Sequence, residues 1–442
     1  MMKKIAVVGA SVGGLVAAGV LRERGFDVTI IEKGRSVGGL YGKVETPFGT
    51  QELGMHVLYL TQEHYRHLCN IFGADAFHTW QGYSVDIGAS HNFGKNFYDS
   101  IYPDVRGLPT SGKIFDQLIE KQREGYSPSN ALEAVIGRFG EEAGINVFAP
   151  ILKKLWKMDA DQLSKDAIHC FYDLRRVVVC DKARADELKQ DAWLDSVIAN
   201  PLQNQPSGTV FEGRIAVRFK NTCNNTAERV QQWLSREKIG IQFERSVEIV
   251  GRRLIIDGAP IDEFFDGCIV ATPLASLIPA VSKIMDSLDL SIYYFKLAES
   301  ITNKFPAYYL LCHDSNIASS RIVNYDAYNV EDQVDRPIVI AVEVAHLVGN
   351  PPTLEAITHE LAKALPFATI SEGYKLPASL RVPSPSLKNA SMLDEHTEGM
   401  KKSFPNEALF FSGMRTDKGI FFSHHTIGQA YESALECAAR LS

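Results

Sequence analysis

The sequence lacks the long apolar runs that mark membrane proteins. No stretch of about 20 uninterrupted apolar residues occurs in its 442 residues, so no membrane span is predicted. The opening "MMKK", followed by an apolar run, imitates a secretory signal. That run contains four glycines, has no clear cleavage site and leads directly into "RERGFDVTIIE". A strand, a turn, a helix and a second strand explain this pattern better than a targeting segment does.

The sequence also has no basic excess and no paired cysteines. Its 46 basic residues are outnumbered by 53 acidic ones and no Arg-rich helix stands out, so a nucleic-acid partner is not predicted. The seven cysteines are scattered without a C-x-x-C, which indicates reduced thiols and a cytoplasmic protein. His424 and His425 are adjacent and on a helix would point about 100° apart. No metal site is therefore predicted.

What the sequence does contain is a βαβ unit at its start. Residues 4–8 and 28–31 are β-branched runs, and 13–24 between them predicts a helix. The intervening "GASVGG" follows the dinucleotide pattern G-x-G-x-x-G, except that Ser11 stands at the middle glycine. Its hydroxyl could donate to a phosphate. Glu32, after the second strand, is placed to accept from a ribose hydroxyl, which disfavours NADP. A purely structural glycine-rich turn is the alternative, but the flanking strand, helix and Glu32 favour a dinucleotide.

A second glycine pair makes the pattern more specific. The stretch "GASVGGLVAAGVLRERGFDVTIIEKGRSVGGLYG" resembles the extended signature of the amine oxidase-like FAD proteins, which include protoporphyrinogen oxidases, carotenoid desaturases, monoamine oxidases and UDP-galactopyranose mutases. "SVEIV", "DGCIVATP" and the closing "LFFSGMRTDKGIFFSHHTIGQAYESALECAA" extend this resemblance along the chain. The common "GD" of the closing motif reads Gly413-Met414 here. The resemblance implies FAD as cofactor, held by Gly9, Ser11, Gly13, Gly14, Glu32, Lys33, Gly38, Gly39, Leu40, Val247, Gly413, His425, Thr426 and Ile427.

Two further stretches resemble a branch of that superfamily. "ELGMHVLYLTQEHYRHLCNIFG" and "RFGEEAGINVFAPILKKLWKMDADQLSKDAI" are similar to segments of the mutases and of protoporphyrinogen oxidase-like proteins linked to polysaccharide synthesis. The resemblance implies that His56 lies against the flavin as a catalytic residue, and that Arg321, Trp156 and Tyr325 bind substrate. The alternatives are a structural histidine, a surface arginine on a strand and a core aromatic residue.

The departures from the mutase pattern matter as much as the matches. Cys170 stands where the mutases have a second essential arginine, and Arg175 and Arg176 are near but out of register. Phe421 stands at a substrate-binding tyrosine and has no hydroxyl. These differences weaken a mutase reading.

The sequence thus predicts an α/β protein with a Rossmann-like FAD-binding domain and an inserted α+β substrate domain. The FAD domain is expected from residues 1–85, 205–275 and 385–442. The substrate domain is expected from a helical piece, 86–204, and an antiparallel sheet, 276–384.

The predicted function is FAD-dependent oxidation or reduction of a small molecule, with a sugar or nucleotide-sugar of polysaccharide or secondary-metabolite biosynthesis favoured. A non-redox mutase-type isomerase and a catalytically inactive binding protein are the alternatives. A homo-oligomer is left open.

Overall fold

A computed structural model describes residues 2–41, 43–80, 88–120, 127–172, 174–202, 214–220, 226–250, 253–278, 283–329 and 336–442. The strands in chain order are β1 (Lys4–Val8), β2 (Asp27–Ile31), β3 (Lys43–Thr46), β4 (Gly49–Glu52), β5 (Leu58–Leu60), β6 (Phe77–Trp80), β7 (Gly88–Asn92), β8 (Lys95–Phe97), β9 (Ile215–Phe219), β10 (Gly240–Gln242), β11 (Val247–Val250), β12 (Arg253–Ile256), β13 (Ala259–Pro260), β14 (Gly267–Val270), β15 (Ser287–Leu297), β16 (Tyr309–Cys312), β17 (Arg321–Asn324), β18 (Val339–Leu347), β19 (Ile370–Lys375), β20 (Leu380–Pro383) and β21 (Leu409–Phe411).

The helices lie between these strands, several of them in succession between β8 and β9. In chain order they are α1 (Val12–Glu23), α2 (Gln62–Phe72), α3 (Ser111–Glu120), α4 (Ala131–Phe139), α5 (Glu141–Ala143), α6 (Ala149–Trp156), α7 (Lys182–Leu188), α8 (Ala192–Val197), α9 (Thr226–Glu237), α10 (Tyr325–Tyr328), α11 (Leu354–Ala364), α12 (Leu387–Ser403) and α13 (Ser423–Leu441). One π-helical turn, Gly144–Phe148, joins α5 to α6.

A five-stranded parallel sheet, ordered β10-β2-β1-β14-β21, forms the first core. Its central strand β1 pairs Val7 with Ile30 of β2 and with Ile269 of β14. The strands read as short β-branched runs because helices cover the sheet and leave little of it in water. α1 and α13 pack closely on each other and against this sheet. The Rossmann-like α/β architecture predicted from the sequence is confirmed.

The strands of this sheet come from distant parts of the chain, residues 4–31, 240–270 and 409–411. Each of these ranges lies within a segment that the sequence assigns to the FAD domain, although the domain boundaries themselves stay a prediction. Three smaller sheets accompany the parallel sheet: β3-β4, β5-β9-β6 and β11-β12-β13.

A large mixed sheet forms the second part of the molecule, in the order β19-β15-β18-β17-β16-β7-β8, with β20 pairing to β15 as well. The sequence predicts an antiparallel sheet from 276–384 and a helical piece from 86–204. The assignment of the whole second range to helix is wrong at its start, because β7 and β8 belong to the sheet and β7 pairs in parallel with β16. β7 reads "GASHN", and its buried polar residues Ser90, His91 and Asn92 conceal a strand from hydrophobic patterning.

The closing helix α13 begins at Ser423. Phe422 is extended, with φ −75° and ψ 151°, and the chain turns helical directly after it. His424 and His425 therefore lie in the first turn of α13. Within the described ranges, no helix combines the length and the apolar character needed to cross a lipid bilayer.

Candidate functional site

The turn between β1 and α1 is shaped by its glycines. Gly9 has φ +102°, a backbone conformation that favours glycine. A Cβ placed on Gly14 would lie 2.0 Å from the carbonyl oxygen of Gly9, so any side chain there would collide with the turn. A Cβ on Gly13 would lie 3.2 Å from the carbonyl oxygen of Thr426 in α13. The glycines thus let the first helix approach both its own turn and the closing helix.

Ser11, the departure from the glycine pattern, caps α1. Its Oγ accepts a hydrogen bond from the amide of Gly14 at 3.3 Å and donates one to the carbonyl oxygen of Ala271 at 3.2 Å. Serine is a preferred residue at this position because its side chain satisfies an amide that the helix leaves unpaired. The hydroxyl that the sequence offered to a phosphate is therefore already engaged within the protein.

Glu32 ties the end of β2 to this turn. Its carboxylate accepts from the amide of Ala10 at 2.7 Å and from the amide of Gly34 at 2.6 Å. Because an ionised carboxylate has about four lone-pair positions, it can still accept a further donor such as a ribose hydroxyl. Lys33, the next residue, is exposed.

The second glycine pair lies beside the first turn. The amide of Gly38 donates to the carbonyl oxygen of Ala10 at 2.9 Å, and Gly38 forms a parallel bridge with Ser11. Gly38 and Gly39 have φ +106° and +60°, and nothing lies within 4 Å of a Cβ placed on Gly38. Leu40 follows in a short 3-10 turn, and its side chain lies outside what the structure describes.

These two glycine turns form a cradle of main chain beside the N-terminus of α1. Exposed backbone without Cβ atoms, next to a helix N-terminus, is what a pyrophosphate group requires. The residues therefore fit a dinucleotide.

The other residues predicted for the cofactor lie on neighbouring elements. Val247 is buried in β11 and pairs with Ile256. A Cβ on Gly413 would lie 2.1 Å from the carbonyl oxygen of Thr272, so only glycine allows the chain after β21 to pass the loop after β14. His425, Thr426 and Ile427 occupy the first two turns of α13.

A cavity of about 470 Å³ opens on the other side of the start of α13. Its basic side chains are those of Arg175, Arg214, Arg321, Lys418, His64, His169, His424 and His425. Among the described residues that line it there is no aspartate or glutamate. Apolar side chains such as Met55, Val57 and Leu311 form much of the remaining wall. A pocket with this lining favours a small anionic ligand that also has apolar or ring surface.

Three of the cationic side chains that line the cavity have hydrogen-bond or ion-pair partners within the protein. Arg321 makes a two-pronged ion pair with Glu343, with Nε to Oε2 at 3.0 Å and Nη2 to Oε1 at 2.6 Å. Lys418 pairs with Asp394 at 2.7 Å. Arg214 donates from Nη1 to the carbonyl oxygen of Tyr59 at 3.1 Å, a neutral partner that does not offset its charge.

The structure separates the two arginines that the sequence leaves out of register. Arg175 lines the cavity, whereas Arg176 is buried and donates from Nε to the carbonyl oxygen of Asp195 at 2.9 Å. Cys170 is buried, with its Sγ 3.5 Å from the carbonyl oxygen of Thr416. Phe421 packs on Phe171, with ring centroids 4.7 Å apart. Arg175 thus brings a guanidinium to the cavity, whereas Cys170 and Arg176 are not among its described lining residues.

His56, the predicted catalytic residue, is in a confined position. Its Nε2 lies 2.9 Å from the carbonyl oxygen of Leu53, and its ring packs 4.7 Å from that of Tyr41. Burial, together with the charge of Arg321, lowers its pKa to about 4. The neighbours Met55 and Val57 line the cavity, whereas His56 is not among the described residues of its wall. Its catalytic role stays a prediction.

Two of the three predicted substrate residues are not among the described residues that line this cavity. Trp156 is only 2% exposed and packs on Phe171 at 4.9 Å between ring centroids. Tyr325 is buried and donates its hydroxyl to the carbonyl oxygen of Glu52 at 3.1 Å. Neither is among the described lining residues, whereas Arg321 is. The core-aromatic alternative therefore describes the surroundings of Trp156.

Several lining residues were not assigned to the site from the sequence. Lys418 and His424 lie within the closing motif and His64 within the stretch "ELGMHVLYLTQEHYRHLCNIFG", but no role was predicted for them, and Arg214 lies outside the quoted stretches. Only the fold brings them together. The adjacent His424-His425 pair was the one visible hint, and the sequence assigned only its second member to the site.

Comparisons with known proteins agree with this picture of the fold. Residues 7–72, which contain both glycine turns, match the family model of a NAD(P)-binding Rossmann-like domain. No curated protein matches the sequence.

Solved structures resemble the chain along nearly its whole length. The crystal structure of reduced UDP-galactopyranose mutase has a TM-score of 0.67 and 16% identity, covering 98% of this chain and 93% of that one. A structure described as a protoporphyrinogen oxidase from Exiguobacterium sp. 255-15 has a TM-score of 0.59 and 14% identity, covering 99% of each chain. An oxidoreductase from Methanosarcina mazei has a TM-score of 0.57 and 12% identity, covering 98% of this chain and all of that one. At the level of the fold, the predicted resemblance to the amine oxidase-like FAD proteins is confirmed.

Proposed function

We propose that the chain is an FAD-dependent oxidoreductase that acts on a small anionic substrate, with a sugar or nucleotide-sugar as the favoured class. One observation carries the proposal. The start of α13 contacts the glycine turn of α1 through Thr426 and Gly13, and it also lines the cationic cavity through His424, His425 and Gly428. A dinucleotide in the glycine cradle and a substrate in the cavity would therefore both lie against the first turns of α13.

The cradle supplies the groups that would hold FAD. Backbone around Gly9, Gly13 and Gly38 would receive the pyrophosphate, and Glu32 would accept from the ribose. When bound, FAD supplies a two-electron acceptor. The start of α13 would stabilise negative charge near it through the helix dipole, since Phe422 provides no side-chain cap for that helix.

The cavity supplies the groups that would select the substrate. Arg175, Arg214 and Arg321 have planar guanidinium groups, which pair well with phosphate or carboxylate oxygens. Arg321 is already fixed by Glu343, so its orientation is set before a ligand arrives. A phosphorylated sugar presents an anionic group to such residues and a ring to the apolar wall.

A non-redox isomerase of the mutase type is the second candidate. The structural likeness to UDP-galactopyranose mutase supports it, and so does Arg175, which restores a second guanidinium despite Cys170. The missing hydroxyl at Phe421 weighs against it.

The test is an anaerobic screen of the purified protein. We expect a yellow protein that releases FAD on denaturation, and bleaching of the flavin absorbance by nucleotide-sugars but not by uncharged sugars of similar size. Absence of bound flavin after reconstitution with FAD would overturn the proposal. Conversion of a nucleotide-sugar isomer by dithionite-reduced protein, without consumption of an oxidant, would support the isomerase function instead of the oxidoreductase function.

A further inference from the structure

His424 occupies an unusual place at the start of α13, a helix of 19 residues. Its side chain lines the cavity, yet the residue is only 9% exposed. Within the described part of the chain its Nδ1 has no hydrogen-bond partner. The ring is held between Phe422, stacked at 5.5 Å between centroids, and Tyr59, edge-on at 5.7 Å. A buried polar atom without a partner is costly, which indicates that a ligand completes the environment of this imidazole.

The surroundings of the ring are cationic or neutral. The groups that face it are Tyr59 of β5, His64 of α2, Arg175, Arg214 and the adjacent His425. Burial holds the pKa of His424 well below its usual value, and His425, Arg214 and Arg175 all lower it further. The imidazole is therefore neutral near pH 7.

His64 lines the same cavity and provides a contrast. Its Nδ1 also has no partner among the described residues. Burial and Arg214 lower its pKa, but the carboxylate of Glu63 raises it and so offsets part of the cationic field. His64 is therefore the competing site for a proton in this cavity, and an experiment must distinguish the two imidazoles.

We propose that His424 takes up a proton when an anionic ligand enters the cavity and then donates from its imidazole to that ligand. This inference rests on the proposed function, since it requires the cavity to bind an anion. An anion placed among Arg175, Arg214 and His424 offsets the repulsion that keeps the imidazole neutral. The protein thus gains one more positive charge and one more donor only when the ligand is present.

The proposal makes ligand affinity depend on pH. Because binding and protonation are reciprocally linked, affinity rises by up to about tenfold for each unit by which the pH falls. This dependence holds between the pKa of His424 in the ligand-bound protein and its lower pKa in the free protein. Above that window the affinity no longer changes with pH.

Calorimetry of flavin-loaded protein with UDP-glucose tests the proposal. The diphosphate diester of this probe keeps the same charge between about pH 5 and pH 7, so any proton taken up belongs to the protein. Titrations near pH 6 in two buffers with different ionisation enthalpies give the number of protons taken up. We expect between about half and one proton for the wild type.

Two variants and one control assign that proton. His424→Phe keeps an aromatic ring between Phe422 and Tyr59 but cannot titrate, and His424→Asn keeps a donor that cannot titrate. Both should bind UDP-glucose with little proton uptake and little pH dependence. His359→Phe, at an exposed position that does not line this cavity, is the control and should keep the uptake of the wild type. Unchanged uptake in the His424 variants, or uptake lost only in a His64→Phe variant, overturns the proposal.

A second probe separates this inference from the proposed function. Sulfate carries a constant charge in the same pH range and needs only the cationic groups. If sulfate binds with His424-dependent proton uptake while UDP-glucose does not bind, the inference stands and the nucleotide-sugar class falls. If neither probe binds, the cavity is not an anion site and the inference falls with it.

Discussion

The two helix starts that meet at the centre of the molecule are built in opposite ways. The start of α1 is a local structure in which Gly9, Ser11 and Gly14 satisfy or make room for one another within six residues. The start of α13 has no side-chain cap, and the groups around it come from β5, α2 and several loops.

This difference separates a site for a general chemical group from a site for one particular ligand. A pyrophosphate needs backbone and a helix N-terminus, which a short sequence can encode by itself. A substrate needs side chains of chosen charge and shape, and these are gathered from distant positions by the fold. Changes at the first helix start should therefore affect stability and cofactor retention, whereas changes at the second should affect ligand binding and pH dependence.

The largest effect is expected at the first helix start. Gly14→Val would place side-chain atoms against the carbonyl oxygen of Gly9, so we expect a loss of at least about 3 kcal/mol in the free energy of unfolding, together with loss of flavin. Chemical denaturation and the flavin-to-protein absorbance ratio measure both. Gly112→Ala in α3 is the control, because nothing lies within 4 Å of a Cβ placed there. A Gly14→Val protein with normal stability and flavin content would contradict the close packing of this turn.

A fall in pH should destabilise the protein through the histidines near the start of α13. His56 and His424 have lowered pKa values in the folded protein, so the unfolded state binds more protons below pH 6.5. Stability is therefore full above about pH 6.5 and falls as the pH decreases, by up to about 1.4 kcal/mol per pH unit for each such histidine.

Urea unfolding at several pH values between 5 and 7 measures this slope. His424→Asn should have a shallower slope than the wild type, because one titrating group is gone. A stability that does not change over this range would show that these imidazoles titrate in the folded protein as they do in the unfolded chain.

An intermediate effect is expected for the two adjacent arginines. Arg175→Gln removes a cation from the cavity and should raise the Kd for UDP-glucose about tenfold or more, with little change in stability. Arg176→Gln loses a buried contact to the carbonyl oxygen of Asp195 and should lower stability while leaving the Kd nearly unchanged. Calorimetric titration and thermal denaturation of both variants check this pattern, and the reverse pattern would exchange their roles.

The smallest effect is expected at Ser11. Ser11→Ala loses the hydrogen bond to Gly14 and should lower the free energy of unfolding by about 1 kcal/mol, whereas Ser11→Gly should cost only a few tenths. Equilibrium denaturation distinguishes the two. An equal loss in both variants would mean that the cap contributes little.

The sequence was sufficient for the first helix start and for the parallel sheet. The glycine spacing, the β-branched runs and Glu32 each act within a short segment, so their pattern survives in the linear sequence. β7 was missed because its buried residues are polar and satisfy one another in the sheet, as when Asn92 donates to Oγ of Ser90 at 2.8 Å.

The candidate site was less predictable for a different physical reason. Trp156 and Arg321 were chosen by resemblance alone, and only the position of neighbouring elements decides that the tryptophan packs in the core while the arginine reaches the cavity. Arg175 and Arg176 are adjacent and identical in type, yet the local backbone directs them to different surroundings. No pattern of residue types contains that information.

The contact between α1 and α13 also has a consequence for how the protein is made. About 400 residues separate the end of α1 from the start of the helix that covers it. At 5–20 residues per second, roughly 20 to 80 seconds of synthesis pass before α13 exists. During that time the apolar surface of α1 lacks its native cover, and the edge of β14 lacks its partner from the synthesis of Val270 until that of β21. The nascent chain therefore exposes α1 during most of its synthesis. We expect chaperone binding to this helix to limit the yield of folded protein.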